Sequence, residues 1–373
     1  MTAAPGRLRV PFLDLLGLHD ELRTELDEAA LRVLHSDRVL MGPELESFEQ
    51  SWAAAVGAGF AVGVGSGLDA LSLGLRALGV GEGDEVLVPS HTFVATWLAV
   101  VHVGAVPVPV DVLSAAGAWD ADALEDAVTP STRAVVPVHL YGHPVDLDAV
   151  LRVARRHDLV VLDDAAQAHG ARIDGRPVGG LTHATAWSFY PGKNLGAFGD
   201  GGAVTTSDPG TAHRLRSLRN YGSSEKYRHD EIGWNSRLDE VQAALLAVKL
   251  RRLPEHNARR DAVARRYDEG LAGLELVLPE RVQGTDPVWH LYVVRSPHRD
   301  RLREHLAACG VETLVHYPVP PHRQRAFAGT ALADAHLPMA DRLAREVLSL
   351  PMGPTLRREE QDAVIQAVQT FRP

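Results

Sequence analysis

The chain is short of sulfur and of positive charge. One cysteine, Cys309, stands among 373 residues. That count excludes an intramolecular disulfide framework and a cysteine zinc cluster. Cys309 reads as a small apolar residue near a helix end, and such usage suits a reducing cytoplasm. Basic residues are the minority, with 38 Lys+Arg against 48 Asp+Glu and a formal charge of −10. A chain of that sign lacks the basic footprint of a nucleic-acid binder. The arginine pairs at 251–252 and 259–260 read as solvated helix faces. Long apolar runs are missing as well. The residues before Val10 lack the apolar core of a signal peptide. The most apolar stretch, 97–110, contains His102, Pro107 and Pro109 and is too short to span a bilayer. It reads as a buried helix followed by a strand. No membrane association is expected, and the cytoplasm is the expected location. Tandem repeats and low-complexity segments are absent from the sequence.

What is present is ordinary for a globular protein: 45% hydrophobic and 23% charged residues. The length allows two domains or one large one. Short apolar runs at 60–64, 85–88, 106–110, 134–138 and 159–162 read as strands. Helical patterns at 66–78, 92–103, 120–128 and 146–157 separate them. This alternation indicates βαβ units and a largely parallel sheet. Two further strands, 184–189 and 203–206, flank a glycine-rich stretch. A helix starting near Ser236 carries the stripe Leu238, Val241, Leu245 and Val248. After about Arg252 the texture changes to charged helices, one strand pattern at 289–294, a helix at 299–308, a Pro/His-rich loop at 316–322 and two last helices. The expected division is a large domain over 1–252 and a smaller α+β domain over 253–373.

Three groups of residues carry chemistry. In the first, a strand ends in the turn Ser188-Phe189-Tyr190-Pro191-Gly192-Lys193-Asn194, and a run rich in glycine follows. Glycine lets backbone approach a ligand closely, and a lysine in a protected turn can lose its proton and form an imine. A surface lysine beside a flexible loop would show the same pattern. In the second, Asp163 and Asp164 close the buried run 160–162, and Gln167 and His169 follow. Ligands gather at the carboxyl ends of such strands. One carboxylate there could pair with a protonated pyridine nitrogen and keep that ring an electron sink. Asp164 is assigned to the ring, and Asp163 to structure. In the third, Gly63-Val64-Gly65-Ser66-Gly67-Leu68-Asp69 turns from strand into helix through small residues. The N–H groups of a helix start bind phosphate, and Ser66 could cap the helix, touch the phosphate, or do both. A dinucleotide site is another reading of this turn, although the spacing is not G-x-G-x-x-G.

An imine-forming lysine, a carboxylate for a pyridine and a phosphate cradle occur here in the order of a fold-type I pyridoxal-phosphate enzyme. From about Pro11 to Pro354 the chain resembles the DegT/DnrJ/StrS family of sugar aminotransferases. The likeness is carried by Pro89-Ser90-His91-Thr92-Phe93, by 163–167, by 188–194 and by Gly233-Trp234-Asn235-Ser236-Arg237-Leu238-Asp239. It implies an α/β fold of type I, with a mostly parallel sheet between helices and a smaller C-terminal α+β domain. It implies that Lys193 holds pyridoxal 5'-phosphate as a Schiff base and shuttles a proton, with pyridoxamine 5'-phosphate as the alternate cofactor form. Asp164 would pair with the pyridine nitrogen, Gln167 would bond the ring hydroxyl, and Phe93 would stack on the ring. Ser66, Ser188 and the backbone of Gly67 and Leu68 would hold the phosphate. Asn235 would reach it from a neighbouring subunit, so a homodimer is implied. Leu68 stands where many relatives carry threonine, and Asp163 where glutamate is commoner.

For the substrate, the resemblance places His316, Tyr317 and His322 in a proline-stiffened loop over a sugar. Tyr190, Tyr221 and Lys226 are further candidates, Lys226 for a nucleotide diphosphate. The branch most resembled acts at C-3 of nucleotide-linked (dTDP) 3-keto-6-deoxyhexoses with L-glutamate as amino donor. Transfer at C-4 or onto a keto-cyclitol stays open, as does a cofactor-binding regulator without turnover. A dehydratase branch of the family has histidine at the Schiff-base position, which Lys193 argues against. His139 and His143 have the spacing of a metal pair on a helix, but Gly142 and Pro144 make a turn there. Turn or packing histidines are expected, and no metal.

Overall fold

A computed structural model describes residues 8–373. Three helices come first: α1 (Leu15–Asp20), α2 (Arg23–Leu34) and α3 (Pro43–Ala55). Alternation then begins with β1 (Phe60–Val64), α4 (Gly67–Ala77), β2 (Glu85–Pro89), α5 (Val94–His102) and β3 (Val106–Val110). It continues through α6 (Ala121–Asp126), β4 (Thr132–Val135), α7 (Leu147–Arg156) and β5 (Val160–Asp164), and ends with β6 (Ala184–Ser188) and β7 (Gly202–Thr206). These seven strands form one sheet in the order β1-β7-β6-β5-β4-β2-β3. β7 is antiparallel to both its neighbours. All other pairings are parallel. The mostly parallel sheet between helices is therefore the architecture found.

Local chemistry explains the helix starts. The Ala149 N–H donates to the Asp146 carboxylate at 3.0 Å and begins α7. The Asp69 N–H donates to the Ser66 hydroxyl at 3.1 Å and begins α4. Such caps satisfy donors that the first turn leaves open. Both sheet faces are covered. Leu73 of α4 and Trp97 of α5 pack with Val62, Val86 and Leu162 on one side. Trp52 of α3 and Leu246 pack with Trp187 and Phe189 on the other. Each such side chain contributes roughly 1.5–3 kcal/mol by leaving water.

After α8 (Pro209–Leu218) comes α9 (Glu240–Leu271), a single 32-residue helix that contains Pro254. A division of the chain at 252/253 falls inside it, so two lobes divided there share one helix. The C-terminal part adds β8 (Tyr292–Arg295), α10 (Arg299–Ala308), α11 (Pro338–Glu346), β9 (Val347–Leu350) and α12 (Arg358–Gln369). β8 and β9 pair antiparallel. β9 is absent from the sequence reading because Val347-Leu348-Ser349-Leu350 continues the apolar pattern of α11 without a break. Among the described residues no helix is long and apolar enough to cross a membrane.

Candidate active site

A cavity of about 750 Å³ opens where the parallel strands end. β1 delivers Ser66, Gly67 and Leu68 to it, β2 delivers Phe93, β5 delivers Asp164 and Gln167, and β6 delivers Ser188, Tyr190 and Lys193. His290, His316 and Tyr317 close it from the C-terminal part. The volume is in the range of small-molecule and cofactor sites.

The turn carrying Lys193 is held on several sides. The Lys193 N–H donates to the Tyr190 carbonyl at 2.8 Å, and the Ala197 N–H to the Phe189 carbonyl at 2.7 Å. At Gly196 a Cβ would stand 2.2 Å from the Pro191 carbonyl oxygen, so the fold-back requires glycine there. Lys249 on α9 donates to the Gly196 carbonyl at 2.5 Å. Asn194 donates through Nδ2 to Asn257 Oδ1 (2.9 Å) and to the Val288 carbonyl (2.8 Å). Burial lowers the Lys193 pKa to about 8, with Asp164 pulling the other way. A sizeable share of neutral amine near neutral pH is what imine chemistry needs.

Asp164 is buried, and burial raises its pKa. The Ala166 N–H (3.2 Å) and the Thr96 hydroxyl (2.9 Å) donate to its carboxylate and oppose that rise, as does the charge of Lys193. Side chains alternate along a strand, so Asp163 faces away from the cavity and lies 3.7 Å from His139 Nε2. Gln167 has a fixed amide orientation. Its Oε1 accepts from the Tyr141 N–H at 2.6 Å, and its Nε2 donates to the Tyr317 hydroxyl at 3.1 Å. Phe93 and Tyr317 have ring centroids 5.3 Å apart.

A phosphate cradle fits the start of α4. A Cβ on Gly67 would stand 2.5 Å from Ser188 Cβ, so only glycine lets this helix N-terminus meet Ser188. Open N–H groups, two hydroxyls, a buried lysine of lowered pKa and a buried carboxylate together fit pyridoxal phosphate.

Of the residues singled out in the sequence, the cavity gathers Ser66, Gly67, Leu68, Phe93, Asp164, Gln167, Ser188, Tyr190, Lys193, His316 and Tyr317. It does not gather four others. His322 is buried in the short 3-10 turn Pro321–Arg323, its Nε2 3.2 Å from Asp341 of α11. Pro320 and Pro321 turn the chain there and carry His322 away from the cavity. Tyr221, Lys226 and Asn235 are exposed on the segment between α8 and α9. Lys226 sits in a small hairpin (Ser223–Glu225 with Arg228–His229) beside the Tyr227 ring. His139 and His143 flank the turn Leu140–Gly142 and are buried.

His290 and Thr96 also reach the site, with little trace in the sequence. Trp289 takes a left-handed φ of 49° and turns His290 toward the site. Buried Arg260 donates to the carbonyls of Trp289 and His290, each at 3.2 Å, and holds that turn. A strand-like pattern at 289–294 gives no sign of it. Thr96 lies one helical turn after Phe93 on α5, which is the only trace it leaves.

The sheet order, the lysine turn and the paired Asp164 and Gln167 define a fold-type I pyridoxal-phosphate enzyme. The chain belongs to the DegT/DnrJ/EryC1/StrS aminotransferase family, whose pattern matches residues 20–369. It is an aminotransferase that uses pyridoxal phosphate. It is 56% identical to the dTDP-3-amino-3,4,6-trideoxy-alpha-D-glucose transaminase of Streptomyces venezuelae, over 97% of this chain and 96% of the relative. It is 54% identical to the erythromycin biosynthesis sensory transduction protein EryC1 of Saccharopolyspora erythraea, over 96% of this chain and 99% of the relative. The crystal structure of S. venezuelae DesV in complex with ketimine intermediate superposes with a TM-score of 0.95 at 56% identity, covering 97% of this chain and 98% of that one.

Proposed function

We propose that the protein transfers the amino group of L-glutamate to C-3 of a dTDP-linked 3-keto-6-deoxyhexose, yielding a 3-amino sugar for deoxysugar or antibiotic biosynthesis. The observation that carries the reading is Lys193, buried beside Asp164 in the cavity, in a chain 56% identical to a transaminase named for a dTDP-3-amino-3,4,6-trideoxyglucose. When bound, pyridoxal phosphate supplies an electron sink for the carbanion formed as the amino group moves.

The chain's own residues do the rest. Ser66, Ser188 and the N–H groups at the start of α4 bind the phosphate and fix the cofactor's position. Asp164 would pair with the protonated pyridine nitrogen, and Thr96 and Ala166 donate to its carboxylate, favouring the charged form against burial. Gln167 would bond the ring hydroxyl and Phe93 would stack on the ring. Lys193 would hold the cofactor and, once released, would carry the transferred proton on Nζ. Tyr190, His316 and Tyr317 meet the sugar. Asn235 serves the phosphate of a neighbouring copy in a homodimer, and Tyr221 and Lys226, exposed on the same segment, go with it. His322 lies outside the cavity and ties its loop to Asp341 of α11.

The amine form of the protein, offered dTDP-linked 3-keto and 4-keto deoxysugars separately, tests the assignment. Mass spectrometry and NMR are expected to find amination at C-3. Amination at C-4 alone would overturn the positional assignment and leave the enzyme class intact.

A further inference from the structure

The turn His139-Leu140-Tyr141-Gly142-His143 has no part in the chemistry above, yet it lies between the two halves of the site. Tyr141 is buried with a left-handed φ of 60°. Its N–H donates to Gln167 Oε1 at 2.6 Å and its carbonyl accepts from the Leu291 N–H at 3.2 Å. Its hydroxyl donates to the His316 carbonyl. With that proton committed, the 2.8 Å contact between His91 Nε2 and the Tyr141 oxygen requires His91 to be the donor. Gln167 completes a closed path by donating to the Tyr317 hydroxyl at 3.1 Å. Non-glycine residues in the left-handed region cost free energy and persist where surrounding contacts over-determine them.

We infer that Tyr141 is a positioning residue: its backbone sets the amide of Gln167 while its hydroxyl ties down the His316–Tyr317 loop, so the cofactor side and the sugar side of the cavity are held in register. The role in sugar binding rests on the function proposed above. The anchoring of the loop does not.

Tyr141→Phe removes one hydroxyl and keeps the ring and the backbone contact to Gln167. Two measurements decide. Hydrogen exchange of the cofactor-loaded protein is expected to quicken at residues 314–324 and to stay unchanged at 160–170. Steady-state kinetics are expected to raise KM for the keto-sugar about tenfold, in line with one lost hydrogen bond, with the glutamate half-reaction within about twofold of wild type. Unchanged exchange at 314–324 would overturn the inference. Faster exchange across the whole chain with a lowered Tm would overturn it too, since Tyr141 would then be part of the general packing. If the wild type accepts no keto-sugar, the function proposed above fails, and the exchange data still decide whether Tyr141 anchors the loop.

Discussion

At the scale of single residues, the chemistry rests on Lys193 and Asp164. Burial holds the Lys193 amine at a pKa of about 8, well under its ordinary 10.5. The protonated amine cannot attack a carbonyl. Capture of added pyridoxal phosphate should therefore speed up as pH rises to about 8 and level off above it, a profile that absorbance stopped-flow would record. A rise continuing toward pH 10 would mean a solvated lysine. Asp164→Asn should keep the shape of the site and lose the charge under the pyridine nitrogen, lowering kcat on the order of 10²–10³, as for other lost electrostatic partners in closed sites. Steady-state assays with glutamate would show it. Lys193 and Asp164 were legible because each lies at or just past the end of a buried strand, inside a short pattern. The tautomers and tethers were not: Tyr141, His290 and Thr96 reach the site through backbone turns and contacts between segments far apart in the chain.

At the scale of elements, the clearest dependence is between α9 and α3. Glu240 at the start of α9 is buried, and its carboxylate accepts from the N–H groups of Gly42 (2.6 Å), Glu44 (3.0 Å) and Leu45 (3.2 Å). One side chain thus satisfies the open donors of a helix 195 to 198 residues away. Glu240→Ala should cost roughly 2–4 kcal/mol, since it strands buried donors that had a charged acceptor. Denaturant unfolding would measure it, and Glu240→Gln should fall between the two. The sequence shows why the alternating part of the chain was readable. Its strands are short β-branched runs, and its helices carry caps such as Asp146 and Ser66. The start of α9 was placed near Ser236 and lies at Glu240, because 235–239 are held by long-range contacts such as Ser236 to Asp69 (2.8 Å) rather than by helical ones. His322 was placed over the sugar by the family resemblance of its loop, and only the tertiary packing against α11 shows it buried.

At the scale of the whole molecule, buried histidines set an acid limit. Burial depresses the pKa of His91, His143 and His316 to about 4 from an ordinary 6.5. Between about pH 6.5 and 4 the unfolded chain takes up protons at these rings that the folded chain refuses, so stability falls as pH falls through that window. Thermal melts should show Tm dropping steadily from pH 6.5 to 4, apart from any contribution of the carboxylates. The segment with Tyr221, Lys226 and Asn235 is surface in one chain. If it completes a neighbour's site, Asn235→Ala should weaken cofactor retention while light scattering still reports a dimer.

The family also includes relatives named for sensory or regulatory roles, so turnover is the claim to test first. Mixing the pyridoxal-phosphate-loaded protein with L-glutamate and following the absorbance of the bound cofactor tests it directly. Conversion to the amine form with release of 2-oxoglutarate is expected, and no conversion in Lys193→Ala. A wild-type cofactor that stays unchanged in glutamate would contradict it.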